Sequence, residues 1–495
     1  MLLETGDAMK DIVVRIQSLV IEGYKSIGHG EIVFDPESKL SVPTGFMHGN
    51  VKGVYGQNGS GKTSVIEVVR LLKKLWTGQS INEFAKAVSG ETLLLRAVVF
   101  ILDKKKGRIT KAAYELEAKP VELSDDRESE LQILKENLEV SVKNGEEAKF
   151  GLKNKFKYHR ADDFHSTLKL SPKLLQAIPG ASMLEKAQIL AELNSSVSSM
   201  FSQQAVKLLN QKFDDHGTNQ TEIEAVSRYG SLIETIETIR CYAQRYLLII
   251  EHRQISDGGT SQFLHLSVLT EKEGLRLSSK TSSYEAMPIE RSFYEKIRPA
   301  FKQIDLILNA LVPSVHFVHR EESYEKPDGT HWIKVRFYTK RGERYIDLKD
   351  ESEGIRRLIS VISEVCTCFN CSSYFLLIDE FDSSIFEYLL GELLEVLQEN
   401  GKGQFLFTAH NLRPFEVLDY RNIILTTAEP ECRFIPFKRI QANNNARDTY
   451  YRMIFLDDSD VSLFEKTKPY KIRNALFKAG NIEDEKGEED RTGRE

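Results

Sequence analysis

Gly56-Gln57-Asn58-Gly59-Ser60-Gly61-Lys62-Thr63 matches G-x-x-x-x-G-K-[ST] at every position. A strand-like Gly53–Tyr55 precedes it. Apolar positions at Val65, Val68, Val69, Leu72 and Leu75 then predict a helix over Thr63–Leu75. A strand, a glycine turn and a helix in that order commit the chain to an α/β fold with strands feeding helices. Glycines at 56, 59 and 61 let backbone N–H groups converge on phosphate oxygens, with Asn58, Ser60 and Ser64 completing the turn. Lys62 is placed to reach the β- and γ-phosphates of ATP as a point charge, and the Thr63 hydroxyl to ligate Mg²⁺. An incidental Gly/Ser turn before a helix is the bland alternative, and the flanking strand and helix weaken it.

A phosphate cradle of this kind needs acid on a neighbouring strand. Tyr374-Phe375-Leu376-Leu377-Ile378 is an unbroken apolar run, as a strand buried on both faces should be, and it ends in Asp379-Glu380. Asp379 is the expected Mg²⁺ holder and Glu380 the general base that polarises water. Adjacent strand residues point to opposite sides, so the two cannot share one task. The run Gln404–Thr408 predicts a further strand, and His410 just past its tip is placed to bond the γ-phosphate. Ser352 and Gly354 form S-x-G at the start of a predicted helix, Gly354–Cys366, a second anion-binding terminus in a chain with one P-loop. The economical reading is that this terminus caps ATP held by a second copy; N-capping by Ser352 is the ordinary one. Arg356 and Arg357 can neutralise phosphate or pair with Glu351 and Glu353, and spacing does not choose.

These segments resemble the ABC-type ATPases of the SMC/RecF/OLD group, above all compact prokaryotic "AAA family" ATPases. The resemblance rests on Ser352–Arg357, Ile378–Ser384, Thr408-Ala409-His410-Asn411 and the opening Leu19–Ser26. It covers about the first 80 residues and 345–430. Two features depart from the group: Gln79 lies too soon after the P-loop helix for a Q-loop glutamine, and Ile385-Phe386 stands where many relatives have Leu-His. The resemblance implies an ABC-type ATPase head, an ATP-sandwich homodimer with Asp382 near the partner, and larger homo-oligomers as an open extension. It also implies service in anti-phage defence, where such ATPases hold a TOPRIM-type nuclease (as in PARIS systems) or an HNH nuclease and answer a phage protein. A RecF-like role on DNA ends or gaps is the alternative.

At 495 residues the chain should form two or three domains. We expect an N-terminal lobe at 1–119, a mostly helical insertion at 120–330, a C-terminal lobe at 331–468 and a charged, disordered tail at 469–495. Within the insertion, helices are expected at 187–193, 197–209, 223–243 and 289–311, with strand pairs at 263–269 and 274–278. No apolar run approaches a membrane span, the first twenty residues lack a signal-like core, and the five cysteines are an odd set, so a cytoplasmic protein is expected. A net charge of −6 argues against a wholly basic surface while allowing a local one. Lys104–Lys106 and Lys153, Lys155 and Lys157 are candidate nucleic-acid contacts, with a solvated face as the usual alternative. Cys366, Cys368 and Cys371 lack a fourth metal ligand, and burial suits them better. His165 belongs to no complete site.

Overall fold

The computed structural model describes residues 9, 11–122, 129–145, 148–151, 154–159, 196–203, 205–207, 220–251, 263–269, 274–280, 287–437, 446–456, 463 and 468–480. The chain starts with a hairpin, β1 (Ile12–Tyr24) and β2 (Ile27–Val33), turning at Lys25 with φ +50°. Strand β3 (Asn50–Tyr55) leads through the glycine turn into α1 (Lys62–Trp76). Four long strands follow: β4 (Leu93–Asp103), β5 (Arg108–Glu122), β6 (Ser129–Asn144) and β7 (Asn154–His159). They extend the first hairpin into one antiparallel sheet of order β2-β1-β4-β5-β6-β7.

Helix α2 (Gln220–Arg245) runs straight into β8 (Leu247–Ile250). Strands β9 (Phe263–Leu269) and β10 (Gly274–Lys280) form a separate hairpin. Strand β11 (Met287–Glu290), helix α3 (Arg291–Leu311), and strands β12 (His316–Glu325), β13 (His331–Arg341) and β14 (Arg344–Asp347) come next. These four strands make a small antiparallel sheet centred on β13. The last third holds α4 (Glu353–Asn370), β15 (Phe375–Ile378), α5 (Glu387–Asn400), β16 (Gln404–Thr408), β17 (Ile423–Thr426), β18 (Phe434–Pro436), α6 (Ala446–Leu456) and α7 (Pro469–Gly480).

The central sheet has order β18-β17-β3-β16-β15-β8 and is parallel except at β18. The N-terminal third supplies β3 alone, inserted between strands more than 350 residues away. Every residue of β15 and β16 is buried, which explains their unbroken apolar runs. Helix α1 lies between the two large sheets and buries Val65, Ile66, Val68, Val69, Leu71, Leu72, Leu75 and Trp76 in one core with Leu95, Leu377 and Leu406. At about 1.5–3 kcal/mol for each large side chain, that burial anchors the helix bearing the P-loop lysine. A second core gathers α3, α4 and α5 on the other face of the central sheet. Gln404 bonds β16 to β1 through both amide atoms: Ile16 N–H donates to its Oε1 (3.0 Å), and its Nε2 donates to the Ile16 carbonyl (2.8 Å).

The expected boundaries shift. β5 crosses 119, and β6 and β7 continue the N-terminal sheet, so that sheet is larger than 1–119. Among the described residues of 120–330, α2 and α3 are the long helices, and they alternate with strands β6 to β12 rather than forming a mostly helical insert. The cause is alternation: β6 buries every second residue from Leu131 to Ile133 and from Leu138 to Val140, a period of two that mixed Lys and Glu hid in the sequence. A boundary at 331 splits the β12–β13 hairpin. Residues 469–480 are helical, so only 481–495 of the expected disordered tail remain, and they lie outside the described residues. Outside them too lie His165, Lys153 and the expected helix at 187–193; the helix expected at 197–209 is irregular chain through 202, with helix only at 203 and 205–207 among its described residues. No helix among the described residues is long and apolar enough to cross a membrane.

Candidate functional site

Parallel order puts three strand ends along one edge. β16 pairs with β3 on one side (Thr408 opposite Val54) and with β15 on the other (Phe407 opposite Ile378). The P-loop after β3, His410 after β16 and Asp379 after β15 therefore share the C-terminal edge of the sheet, where α/β folds bind ligands. Gly61 caps α1 with φ +95°, a conformation that favours glycine. Gly56 is required by crowding, since a Cβ there would meet Thr426 Oγ1 at 1.7 Å. Ser60 also bonds the Thr426 hydroxyl and donates to the Gln57 carbonyl (2.6 Å), so β17 shapes the loop from below. Gly59 has φ +81° and open space around its α-carbon, and Asn58 and Gly59 are exposed, while Ser64 is buried under the first turn of α1.

Lys62 Nζ donates to the carbonyls of Gly56 (2.7 Å) and Gln57 (3.0 Å), holding the amine over the loop. Burial pulls its pKa below the ordinary lysine value, opposed by Glu380, Asp379 and Asp382. Thr63 Oγ1 donates to Asp379 Oδ1 at 3.3 Å across 316 positions of sequence. A hydroxyl and a carboxylate so paired are the hard oxygen donors that suit Mg²⁺. The same carboxylate oxygen accepts from Thr408 Oγ1 (2.6 Å), and Thr408 in turn accepts from the Glu380 N–H (2.8 Å). Glu380 has φ +48°, a turn that separates its direction from the Asp379 side chain beneath. Asp379 is 3% exposed and Glu380 half-buried.

The two arginines take different places. Arg357 Nη2 donates to the carbonyls of Asp379 (3.2 Å) and Glu380 (3.1 Å), bracing the acidic turn from the interior. Burial lowers its pKa to about 10, against the pull of Asp379, Asp382 and Glu380. Arg356 Nη1 donates to the Lys349 carbonyl (3.2 Å). Glu351 is held by Arg341 (Nη2 to Oε2, 3.1 Å) and by the Thr339 hydroxyl. Burial would raise the Glu351 carboxyl, but Arg341, Thr339 and the Ser352 N–H hold it below the ordinary range.

Ser352 occupies the N-cap of α4, yet its side chain makes no capping bond. Its exposed hydroxyl is thus not engaged in the ordinary role. A Cβ on Gly354 would meet the Ser384 carbonyl at 2.5 Å, so the helix start packs tightly on the turn after the acidic pair. Asp382, expected near a partner, accepts from the N–H groups of His410 (2.9 Å) and Asn411 (2.7 Å), joining that turn to the tip of β16. His410 is exposed at that tip, between the P-loop strand and the acidic strand. Gln79 lies beyond the far end of α1, its N–H bonded to the Lys74 carbonyl, away from the P-loop end.

The contacts of three site residues escaped the sequence. Thr408 was visible as a strand end and within the Thr408–Asn411 motif, and Arg357 as a partner for phosphate or carboxylate, but what they and Thr426 bond depends on pairings no local pattern announces. Of the candidate lysines, Lys106 pairs with Glu234 (2.8 Å) and Lys155 with Glu139 (2.7 Å). Cys368 is buried with its thiol directed to the Gln404 carbonyl, and no metal-binding cluster occurs among the described residues.

A family model described as an AAA ATPase domain matches residues 15–413. No curated protein matches the chain. Solved structures similar to it include the SMC head bound to the C-terminal winged-helix domain of ScpA, 12% identical, TM-score 0.36, covering 85% of this chain and 96% of that one. The Smc head with an extended coiled coil, bound to the C-terminal domain of ScpA derived from Pyrococcus furiosus, is also 12% identical, with TM-score 0.36 and 86% and 96% coverage. The SMC head domain from Thermotoga maritima is 11% identical, TM-score 0.31, with 86% and 100% coverage. Likeness at these scores carries no argument for function.

Proposed function

The chain belongs to the family of AAA ATPase domains, and from that premise we propose that it hydrolyses ATP at a joint between two copies of itself. The observation that carries the reading is the closure of Thr63 on Asp379 beneath the glycine loop. Thr63 and Asp379 would hold Mg²⁺, which supplies charge neutralisation at the phosphates. Backbone N–H groups of residues 56–64 bind the phosphates, and Lys62 exchanges its two loop carbonyls for phosphate oxygen. Glu380 takes the proton of the attacking water, with Thr408 fixing its backbone. His410, at the edge between the two strands, contacts the γ-phosphate. Ser352, whose hydroxyl does not cap its own helix, and Gly354 present α4 to the nucleotide of the second copy.

Lys62→Ala should lower ATP affinity roughly 10- to 100-fold, whereas Glu380→Gln should bind ATP normally and lose about 10²- to 10⁴-fold in turnover. Sizing chromatography with ATP should show the Glu380→Gln protein trapped as a dimer, and Ser352→Arg should remain monomeric. Equal turnover by Glu380→Gln and the parent would remove the general-base role; turnover per molecule unchanged by dilution would remove the shared joint.

The motif resemblance extends the proposal to an anti-phage switch that restrains and releases a toxic nuclease of the TOPRIM or HNH kind. Co-purification with the product of a neighbouring gene, released on addition of ATP or a phage protein, tests it. Stimulation of turnover by duplex DNA ends without such a partner would favour the RecF-like alternative.

A further inference from the structure

We propose that the outer face of the β11–β14 sheet binds single-stranded nucleic acid. On β13 the inward residues Ile333, Val335, Phe337 and Thr339 are buried, which turns Trp332, Lys334, Arg336, Tyr338 and Lys340 outward. The register brings Tyr324, Arg320 and Val318 of β12 to the same face, opposite Trp332, Arg336 and Tyr338. From β14, Tyr345 joins opposite Lys340.

The result is a surface on which rings and cations lie side by side. Lys326 Nζ lies 3.3 Å from the centre of the Trp332 ring, and Lys334 lies 5.1 Å from that of Tyr324. Arg320 sits over both Tyr338 (5.3 Å) and Tyr345 (5.4 Å). The Trp332 indole donates to Thr330 Oγ1 (2.9 Å), which fixes the ring edge. Among the described residues, Arg320, Lys326, Lys334, Arg336 and Lys340 form no ion pair. The carboxylates here are Glu322, Asp347, Glu290 and, in the same turn as Lys326, Asp328, fewer than the five cations, on a chain whose net charge is −6.

Cations this concentrated on an acidic protein select a polyanion. Aromatic planes between them favour unpaired bases, which can stack, over an acidic protein, which offers only charge. A duplex hides its base faces and would use the cations alone.

The chain contains two tryptophans, and Trp76 is fully buried, so fluorescence quenching by a ligand reports Trp332. Nucleotide-free protein should be titrated with an oligodeoxythymidylate of about 15 residues. The expected result is saturable quenching, absent in Trp332→Phe. With a labelled oligomer, Trp332→Ala should weaken binding about 5- to 100-fold. Lys334→Glu/Arg336→Glu should flatten the slope of log affinity against log salt by roughly 1.4. ATP turnover and melting of these exposed-site variants should match the parent. No quenching at low salt would overturn the inference. Equal affinity for polyglutamate, or for duplex with no dependence on Trp332, would do so as well. Because the titration contains no ATP, its failure would leave the ATPase reading untouched.

Discussion

Thr408→Val removes one hydroxyl and almost no volume, and the site should feel it twice. In the parent, that hydroxyl donates to Asp379 Oδ1 at 2.6 Å and accepts from the Glu380 N–H at 2.8 Å, with Thr408 1% exposed. A hydrogen bond to a charged group contributes about 1.5–3 kcal/mol and a neutral one about 0.5–1.5 kcal/mol. The added methyl group recovers about 0.8 kcal/mol of apolar burial. The net loss is about 1–4 kcal/mol, placed on the turn that carries both carboxylates. A protein this large is best followed by apparent Tm at fixed scan rate, and the variant should melt a few degrees lower. Loss of a group that orients a metal-binding carboxylate typically lowers activity about 10- to 100-fold. Steady-state hydrolysis across a Mg²⁺ series should therefore show a raised Mg²⁺ requirement and a lower plateau. Thr408→Ser keeps the oxygen and should restore most of the rate. A Val variant with parental melting and parental turnover would refute the reasoning, because the two bonds would then hold nothing in place.

Gly354→Ala forces a Cβ to within 2.5 Å of the Ser384 carbonyl and should destabilise by about 1–3 kcal/mol, read as a lower apparent Tm, with slower turnover. Arg357→Met leaves the Asp379 and Glu380 carbonyls without their buried donor; ATPase assays should show kcat reduced about tenfold or more at similar KM. Glu136 is buried among Tyr114, Ser198 and Ser199, and burial raises its pKa above the ordinary 4.5 despite those three partners. The folded state then keeps its proton to higher pH than the unfolded chain, so this contribution is full below 4.5 and falls as pH rises through the folded value. Melting curves from acid to neutral pH should show the parent losing stability relative to Glu136→Gln.

Much of the candidate site could be read before any fold was known. Residues 56–61 form a loop from consecutive positions, with Lys62 and Thr63 opening the helix, and Asp379-Glu380 terminate an apolar run that only a doubly covered strand would tolerate. Helices with strong periodicity, such as α1, α3 and α4, fell within a few residues of their expected limits. Strand β6 of the first sheet was less legible. β6 interleaves Lys, Glu and Asn with its buried residues, so its alternation resembles a polar loop until neighbours supply the buried face. The same limit hid β12, whose exposed half carries Arg, Glu and Ser. The helix at 469–480 was masked by its charge.

Features carried on contiguous residues were thus determined by the sequence itself: a glycine loop opening a helix, a pair of acids at a strand end, and an S-x-G helix start. Local backbone geometry and side-chain identity suffice for each, because no distant residue has to be known. Only the tertiary structure decided which groups meet. The order β3-β16-β15 brings Thr63 to Asp379, slips Thr408 between the two acids and puts Arg357 behind them. Pairing register likewise gathers Tyr324, Trp332 and Arg320 on one outer face. Those meetings depend on which strands share hydrogen bonds across hundreds of residues, and strand pairing is a property of the packed whole rather than of any single segment.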